Sequence, residues 1–147
     1  MGYYVYSILR LRKVKNMTRH EARELAFVLI FEKSFQPETD VSDLIDSALE
    51  LELFPHNDFA EGVAKRTFEN LEEIDSLIDS NLVGWSAKRI SKASRAILRL
   101  AVCELLYSKD VPVGVAINEA VEIAKKYATT EDGSYINGVL GSIAKKI

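Results

Sequence analysis

The sequence predicts an all-α protein, a compact helical bundle of about seven helices. Apolar residues recur at helical spacing along most of the 147 residues, and no stretch alternates apolar and polar residues as a strand would. Seven glycines and three prolines are few for an all-β or disordered chain. Apolar residues make up 48% of the chain, which is ample for a packed core.

The most apolar helical segment covers residues 94–107, where ten of fourteen side chains are apolar. A helix that is apolar nearly all round must be covered on most sides, so we expect it to be the central helix of the bundle. Its polar edge carries Arg95 and Arg99, one turn apart. The single cysteine, Cys103, lies in this helix and offers neither a disulfide pair nor a metal site, which favours a reducing, cytoplasmic setting.

Polar junctions separate the helices that precede this central one. The first helix should begin near Thr18, a suitable N-cap, with Glu21 three residues later completing a capping box. A second helix is predicted over residues 41–53 and a third from Asn57 or Asp58 to about residue 79.

Two more helices are predicted after the central one. The first follows Pro112, since proline is tolerated in the first turn of a helix. A polar loop over residues 129–134 leads to the last helix, which contains Gly138 and Gly141. Because glycine lowers helix stability, we expect these two glycines to mark the close approach of another backbone.

Charge is distributed unevenly along the chain. Residues 1–23 carry a net charge of +5, residues 24–81 carry −12 and residues 82–147 carry +4. This pattern is compatible with a local site for a polyanion and excludes a general nucleic-acid coat. Residues 1–16 are interpreted as a basic N-terminal extension that is either disordered or a misassigned start, and no apolar run is long enough to span a membrane.

The first predicted helix interleaves basic and aromatic residues. Arg19, His20 and Arg23 lie beside Phe27 and Phe31 on a helical wheel. Guanidinium groups for phosphates and rings for unstacked bases are what single-stranded RNA recognition uses. The alternative is that both phenylalanines belong to the core and the basic residues form a solvated rim.

A second basic candidate site precedes the central helix, where Lys88 and Arg89 suit either a phosphate contact or a solvated face. No catalytic signature is found, because the chain lacks nucleophile-elbow, phosphate-loop and dinucleotide-binding patterns. His20 and His56 are too far apart to form a helical metal pair. We therefore expect no enzyme activity, no metal and no cofactor.

Four segments resemble the NusB family of bacterial transcription antitermination factors. They are ARELAFVLIFE from residue 22, ILRLAVCELLY from residue 97, DVPVGVAINEAVEIAKKY from residue 110 and INGVLG from residue 136. The resemblance extends from about residue 17 to the end and is densest over residues 96–141. It implies a NusB-like RNA-binding domain over residues 17–147, with two three-helix halves at about 17–80 and 85–147 packed together.

The resemblance also implies a function. Family members bind the boxA element of nascent single-stranded RNA, best together with NusE, a small-subunit ribosomal protein. The complex joins RNA polymerase and suppresses termination, notably on ribosomal RNA operons. Carried over to this sequence, the RNA-binding positions are Arg19, His20, Arg23, Phe31, Tyr127, Glu131 and Tyr135.

The sequence departs from the family pattern at two places. His20 and Glu21 interrupt the run of basic residues that the family usually has at the first helix. Ser134 replaces a lysine that is common before the last aromatic position. The second departure puts one phosphate contact in doubt. A second interpretation of the whole chain also stays open, a NusB-like helical module for protein–protein contacts without sequence-specific RNA binding. A homodimer that covers the same basic surface is also compatible with the sequence.

Overall fold

A computed structural model of the chain describes residues 10–82, 84 and 89–147. Within these ranges the regular elements are helices, which confirms the predicted fold class of an all-α bundle. In chain order the long helices are α1 (Arg19–Ser34), α2 (Val41–Glu50), α3 (Asp58–Glu69), α4 (Leu71–Asp79), α5 (Lys92–Tyr107), α6 (Val113–Tyr127) and α7 (Thr130–Ala144). None of them has the length and hydropathy that a bilayer-spanning helix requires.

Helix α1 begins with the predicted capping box. The Thr18 hydroxyl accepts a hydrogen bond from the Glu21 backbone N–H, and the Glu21 carboxylate accepts one from the Thr18 backbone N–H. This backbone hydrogen bond, with the help of Arg10, lowers the pKa of Glu21. The cap therefore stabilises α1 most above the ordinary pKa of a glutamate, and this contribution is lost as the pH falls through the lowered value.

The predicted third helix is two helices in the structure. α3 ends and α4 begins at Asn70, whose backbone has φ −122° and ψ 28°. The Asn70 side-chain amide donates to the Arg66 carbonyl at 2.9 Å. Such a bond from a side chain to the nearby backbone competes with the backbone hydrogen bonds that would continue the helix. Ile74 and Ile78 on α4 are both fully buried. Residues 17–80 therefore contain four helices, whereas the sequence predicts three.

Helix α5 is the central helix, as predicted. It contacts every other long helix except α2. Its polar edge pairs with α4: Arg99 donates two hydrogen bonds to Asp75 at 2.9 and 2.8 Å, and Arg95 donates one to Asp79 at 2.7 Å. Cys103 is 1% exposed, and burial raises the pKa of its thiol, as expected for an unreactive cysteine.

The described part of the N-terminal extension packs onto the bundle. Leu11 is fully buried in the main core cluster, which also includes residues from all seven long helices. Arg12 donates to the Glu52 carbonyl at 3.0 Å, and Arg10 pairs with Glu21 at 2.9 Å. Residues 10–16 therefore add an apolar side chain to the core, a hydrogen bond to Glu52 and ion pairs to α1.

The described residues do not support the expectation that the glycines of α7 mark a close approach of another backbone. A Cβ atom built on Gly138 or Gly141 would meet no heavy atom of the described chain within 4 Å. Gly138→Ala should therefore stabilise the fold by up to about 1 kcal/mol, because alanine has the higher helix propensity and restricts the unfolded chain. Urea unfolding measures this change. Gly84→Ala is the control and should lower stability, because the Gly84 backbone has φ +78°, a conformation that favours glycine. A loss of stability in Gly138→Ala would contradict the open environment.

Candidate nucleic-acid interface

A buried carboxylate organises the surface between α1 and α6. Glu24 is 1% exposed and accepts hydrogen bonds from three side chains. Arg10 donates to both of its oxygens at 3.0 and 2.9 Å, Lys126 does so at 3.2 and 3.0 Å, and the Tyr127 hydroxyl donates at 2.7 Å. The pKa of Arg10 is affected first by burial, which lowers it, but the carboxylates of Glu24 and Glu21 outweigh burial and raise it.

His20 lies beside this cluster, between two carboxylates. Its Nε2 atom is 3.2 Å from Glu24, and its Nδ1 atom makes a short contact with Glu119 on α6. The His20 side chain remains 40% exposed. The structure thus brings two predicted site residues, His20 and Tyr127, together on Glu24.

Arg23 does not lie at the surface. It is 4% exposed, and its guanidinium binds the carboxylate of Glu104 on α5 with N–O distances of 3.0 and 3.1 Å. Glu104 is 1% exposed, so the pair is enclosed in the protein. A phosphate could reach Arg23 only by displacing Glu104, so we assign Arg23 the structural role of holding α1 against α5.

Four aromatic rings form a row from α6 along α1, which we call the aromatic row. The Tyr127 ring lies 4.8 Å from Phe27, Phe27 stacks on Phe31 at 5.7 Å, and Phe31 meets Phe35 edge-on at 5.0 Å between centroids. Exposure rises along the row, from 0% at Phe27 through the half-buried Phe31 to 54% at Phe35. The alternative that both phenylalanines belong to the core is therefore correct for Phe27, whereas Phe31 is only partly covered.

Arg19 is the exposed cation at the start of α1. Its guanidinium carbon lies 4.1 Å from the centroid of the Phe59 ring on α3, a cation–π contact. The described residues place no carboxylate within salt-bridge distance of Arg19. Arg19 is therefore positioned by a ring and keeps its charge available for an anion.

The remaining predicted residues lie at other points of the surface. Glu131 is exposed in the first turn of α7, where Thr129 is the N-cap and accepts from the Asp132 backbone N–H at 3.0 Å. Tyr135, one turn later, is half-buried and packs against the core. Arg89 is exposed in the turn that precedes α5, and Lys88 lies outside the described residues.

Sequence reasoning missed three members of this surface: Glu24, Lys126 and Phe35. The signal for Phe35 was present, because Phe27, Phe31 and Phe35 are spaced by four residues and must share a helix face. Nothing in the sequence marked Glu24 as the common partner, since Lys126 and Tyr127 are more than 100 positions away. No group of three metal-ligating side chains occurs among the described residues.

Comparisons with known proteins agree with this fold. The model of the NusB family matches residues 20–145. A NusB transcription antitermination protein from Acetivibrio thermocellus is 44% identical over 131 residues, which cover 88% of this chain and 90% of the relative. The corresponding protein of an Exiguobacterium species is 42% identical over 130 residues, covering 88% and 99%.

Two solved structures have the same architecture. T. maritima NusB matches with a TM-score of 0.75 at 36% identity, covering 89% of this chain and 93% of that one. A crystal structure of the antitermination factors NusB and NusE in complex with dsRNA also matches with a TM-score of 0.75, at 29% identity, covering 89% and 100%. With a family match over most of its length and relatives above 40% identity, this chain belongs to the NusB family.

Proposed function

We propose that this chain is a transcription antitermination factor that binds single-stranded boxA RNA together with NusE and acts in the RNA polymerase antitermination complex, notably on ribosomal RNA operons. Its relatives are named as antitermination proteins, and one similar structure contains NusB, NusE and dsRNA. Such a factor binds and does not catalyse, and it works in the cytoplasm, where transcription takes place.

The observation that carries the RNA proposal is that α1 presents an exposed cation at its start and the open end of the aromatic row at its end. Phe31 and Phe35 offer ring surface at the end of α1, and Arg19 at its start offers a guanidinium with no carboxylate partner among the described residues. Aromatic faces stack on unpaired bases, whereas the bases of a duplex are already stacked on one another. This surface therefore favours a single strand, with Glu131 and Tyr135 as further contacts on α7 and Arg89 as a phosphate contact.

Arg23 supports this surface from beneath and does not touch RNA. Its bond to Glu104 fixes α1 on the central helix, so the rings and His20 are held in place. Glu24 likewise holds the His20 and Tyr127 side chains in place. In this proposal His20 and Tyr127 contact RNA through the parts of their rings that remain exposed.

The second candidate, a protein–protein module, is favoured by a different surface. A groove of about 380 Å³ lies between α1 and α2, lined by Val28, Leu29, Leu44 and Phe54 among others. Leu51 at its rim is 67% exposed and Leu53 is 41% exposed, and exposed apolar patches mark contact sites for other proteins.

An RNA titration separates the two candidates. The purified protein, alone and with NusE, is titrated into a boxA single strand, a scrambled strand and a boxA duplex, with fluorescence anisotropy as the readout. We expect weak binding alone and tighter binding to the boxA single strand with NusE. Equal, weak binding to all three RNAs by a folded NusE complex would favour the protein–protein module.

The same titration tests Arg19. Arg19→Gln should weaken boxA binding and reduce the slope of log affinity against log salt by roughly 0.7, the value for one lost phosphate contact on a single strand. Lys109→Gln is the matched control, because Lys109 is exposed in the turn between α5 and α6. A slope that falls equally in both variants would show that Arg19 acts only through the net charge.

A further inference from the structure

A cationic pocket lies where the end of α1 meets the α3–α4 junction and the first turns of α5. We call it the α1–α5 pocket. Its volume is about 200 Å³, and Phe68 and Leu71 line one part of it. Its cationic lining residues are Lys33, Lys92, Arg95 and Arg99.

Among the described residues, carboxylates neutralise half of this positive charge. Arg95 and Arg99 pair with Asp79 and Asp75 on α4. In the described ranges no carboxylate lies within salt-bridge distance of Lys33 or Lys92. Two positive charges therefore remain around a concave surface, which is an arrangement that attracts an anion.

Lys33 is the more informative of the two lysines because it is only 9% exposed. Its ammonium donates to the carbonyls of Gln36 and Pro37 at 3.3 and 2.8 Å, and it lies 5.3 Å from the Phe68 ring. An ammonium has three N–H donors, so two carbonyls leave one for a further acceptor. A nearly buried cation without a counter-charge is costly, and a bound anion would offset that cost.

Lys92 connects the pocket to the aromatic row. Its ammonium lies 5.2 Å from the centroid of the Phe35 ring, and Phe35 is the exposed end of that row. A strand with a base stacked on the exposed Phe35 ring would therefore carry its backbone past Lys92 to the pocket. The pocket is smaller than the sites that hold whole small molecules, but it can take a single phosphate group.

We propose that the α1–α5 pocket binds one backbone phosphate of the RNA strand that stacks a base on Phe35, the exposed end of the aromatic row. Lys92 and Lys33 provide the direct charge, while Arg95 and Arg99 shape the pocket from their pairs with α4. This inference rests on the proposed RNA-binding function and adds a binding position to it. It places the bound strand over the C-terminal end of α1 as well as its start.

The primary test compares Lys92→Gln with Lys109→Gln in the NusE complex. Both changes remove one exposed positive charge, but the 16 residues of α5 place the two lysines about 24 Å apart. Lys92→Gln should weaken boxA binding by roughly tenfold, the effect of one charged hydrogen bond, and flatten the salt slope by about 0.7. Lys109→Gln should change affinity by less than about twofold.

A set of modified RNAs locates the phosphate. In each boxA strand one phosphate is replaced by a neutral methylphosphonate linkage. At one position the methylphosphonate should weaken binding to the wild-type complex. The same replacement should change the affinity of the Lys92→Gln complex little further, because that complex has already lost the contact. Lys33→Gln is a second variant for the same comparison, used if circular dichroism shows that it remains helical.

Each outcome either supports or overturns the inference. Selective boxA binding by the wild type with equal affinities of Lys92→Gln and Lys109→Gln would overturn the pocket and leave the RNA-binding function intact. Absence of selective binding by the wild type would overturn both. In that case a titration with inorganic phosphate, followed by NMR signals of Lys33 and Lys92, would show whether the pocket binds a free anion instead.

Discussion

Glu104→Gln should lower the free energy of unfolding by about 3–5 kcal/mol, the cost of leaving one member of a buried ion pair without its counter-charge. Arg23 would keep its positive charge inside the protein, because its side chain is only 5% exposed and water cannot reach it. This loss is a large part of the roughly 5–15 kcal/mol that stabilises a typical domain. Urea unfolding followed by circular dichroism measures it.

Two controls separate the buried pair from general effects of charge. Glu122→Gln removes an exposed partner of Lys125, in a pair 3.6 Å apart with both side chains 49% exposed, and should change stability by less than about 0.5 kcal/mol. The double variant Arg23→Met with Glu104→Leu should recover most of the loss, since it leaves no isolated charge. If Glu104→Gln cost no more than Glu122→Gln, the assignment of Arg23 to the interior would be wrong.

Phe27→Ala should cost about 3–5 kcal/mol of stability, because it removes a fully buried ring and leaves a cavity between α1 and α6. The same substitution eight residues later should behave differently. Phe35 is 54% exposed, so Phe35→Ala should change stability by less than about 0.5 kcal/mol. Its effect should fall on RNA affinity, with a loss of about 1–3 kcal/mol if one base stacks on the ring.

Urea unfolding and boxA titration of both variants test this division of the aromatic row. Phe35→Leu is a matched control, since it keeps an apolar side chain but cannot stack. It should lose affinity nearly as much as Phe35→Ala. Unchanged RNA binding in both Phe35 variants would remove the exposed end of the row from the interface.

The fold was predictable where a pattern within one helix decides the outcome. The burial of α5 follows from apolar residues on nearly all its sides, and the start of α1 follows from the spacing of Thr18 and Glu21. The division between α3 and α4 was missed, because it depends on how the Asn70 side chain bonds to its own backbone. Propensity along the segment does not reveal that choice.

The candidate site was less predictable, because it depends on partners far away in the chain. A helical wheel places Arg23 beside His20, but only the packing of α5 shows that Glu104, 81 positions later, takes its charge. The glycines of α7 gave a similar error, since glycine in a helix predicts a close neighbour and none is found within the described chain. Periodicity gives the angle of a residue around its helix but not what packs against it.

A transcription assay tests the proposed function most directly. RNA polymerase, NusE and the elongation factors of the source organism transcribe a template with boxA upstream of a terminator, and a second template carries a scrambled boxA. We expect this protein to raise the fraction of transcripts that pass the terminator on the boxA template only, and only when NusE is present. An equal rise on both templates, or no rise on either, would contradict the account.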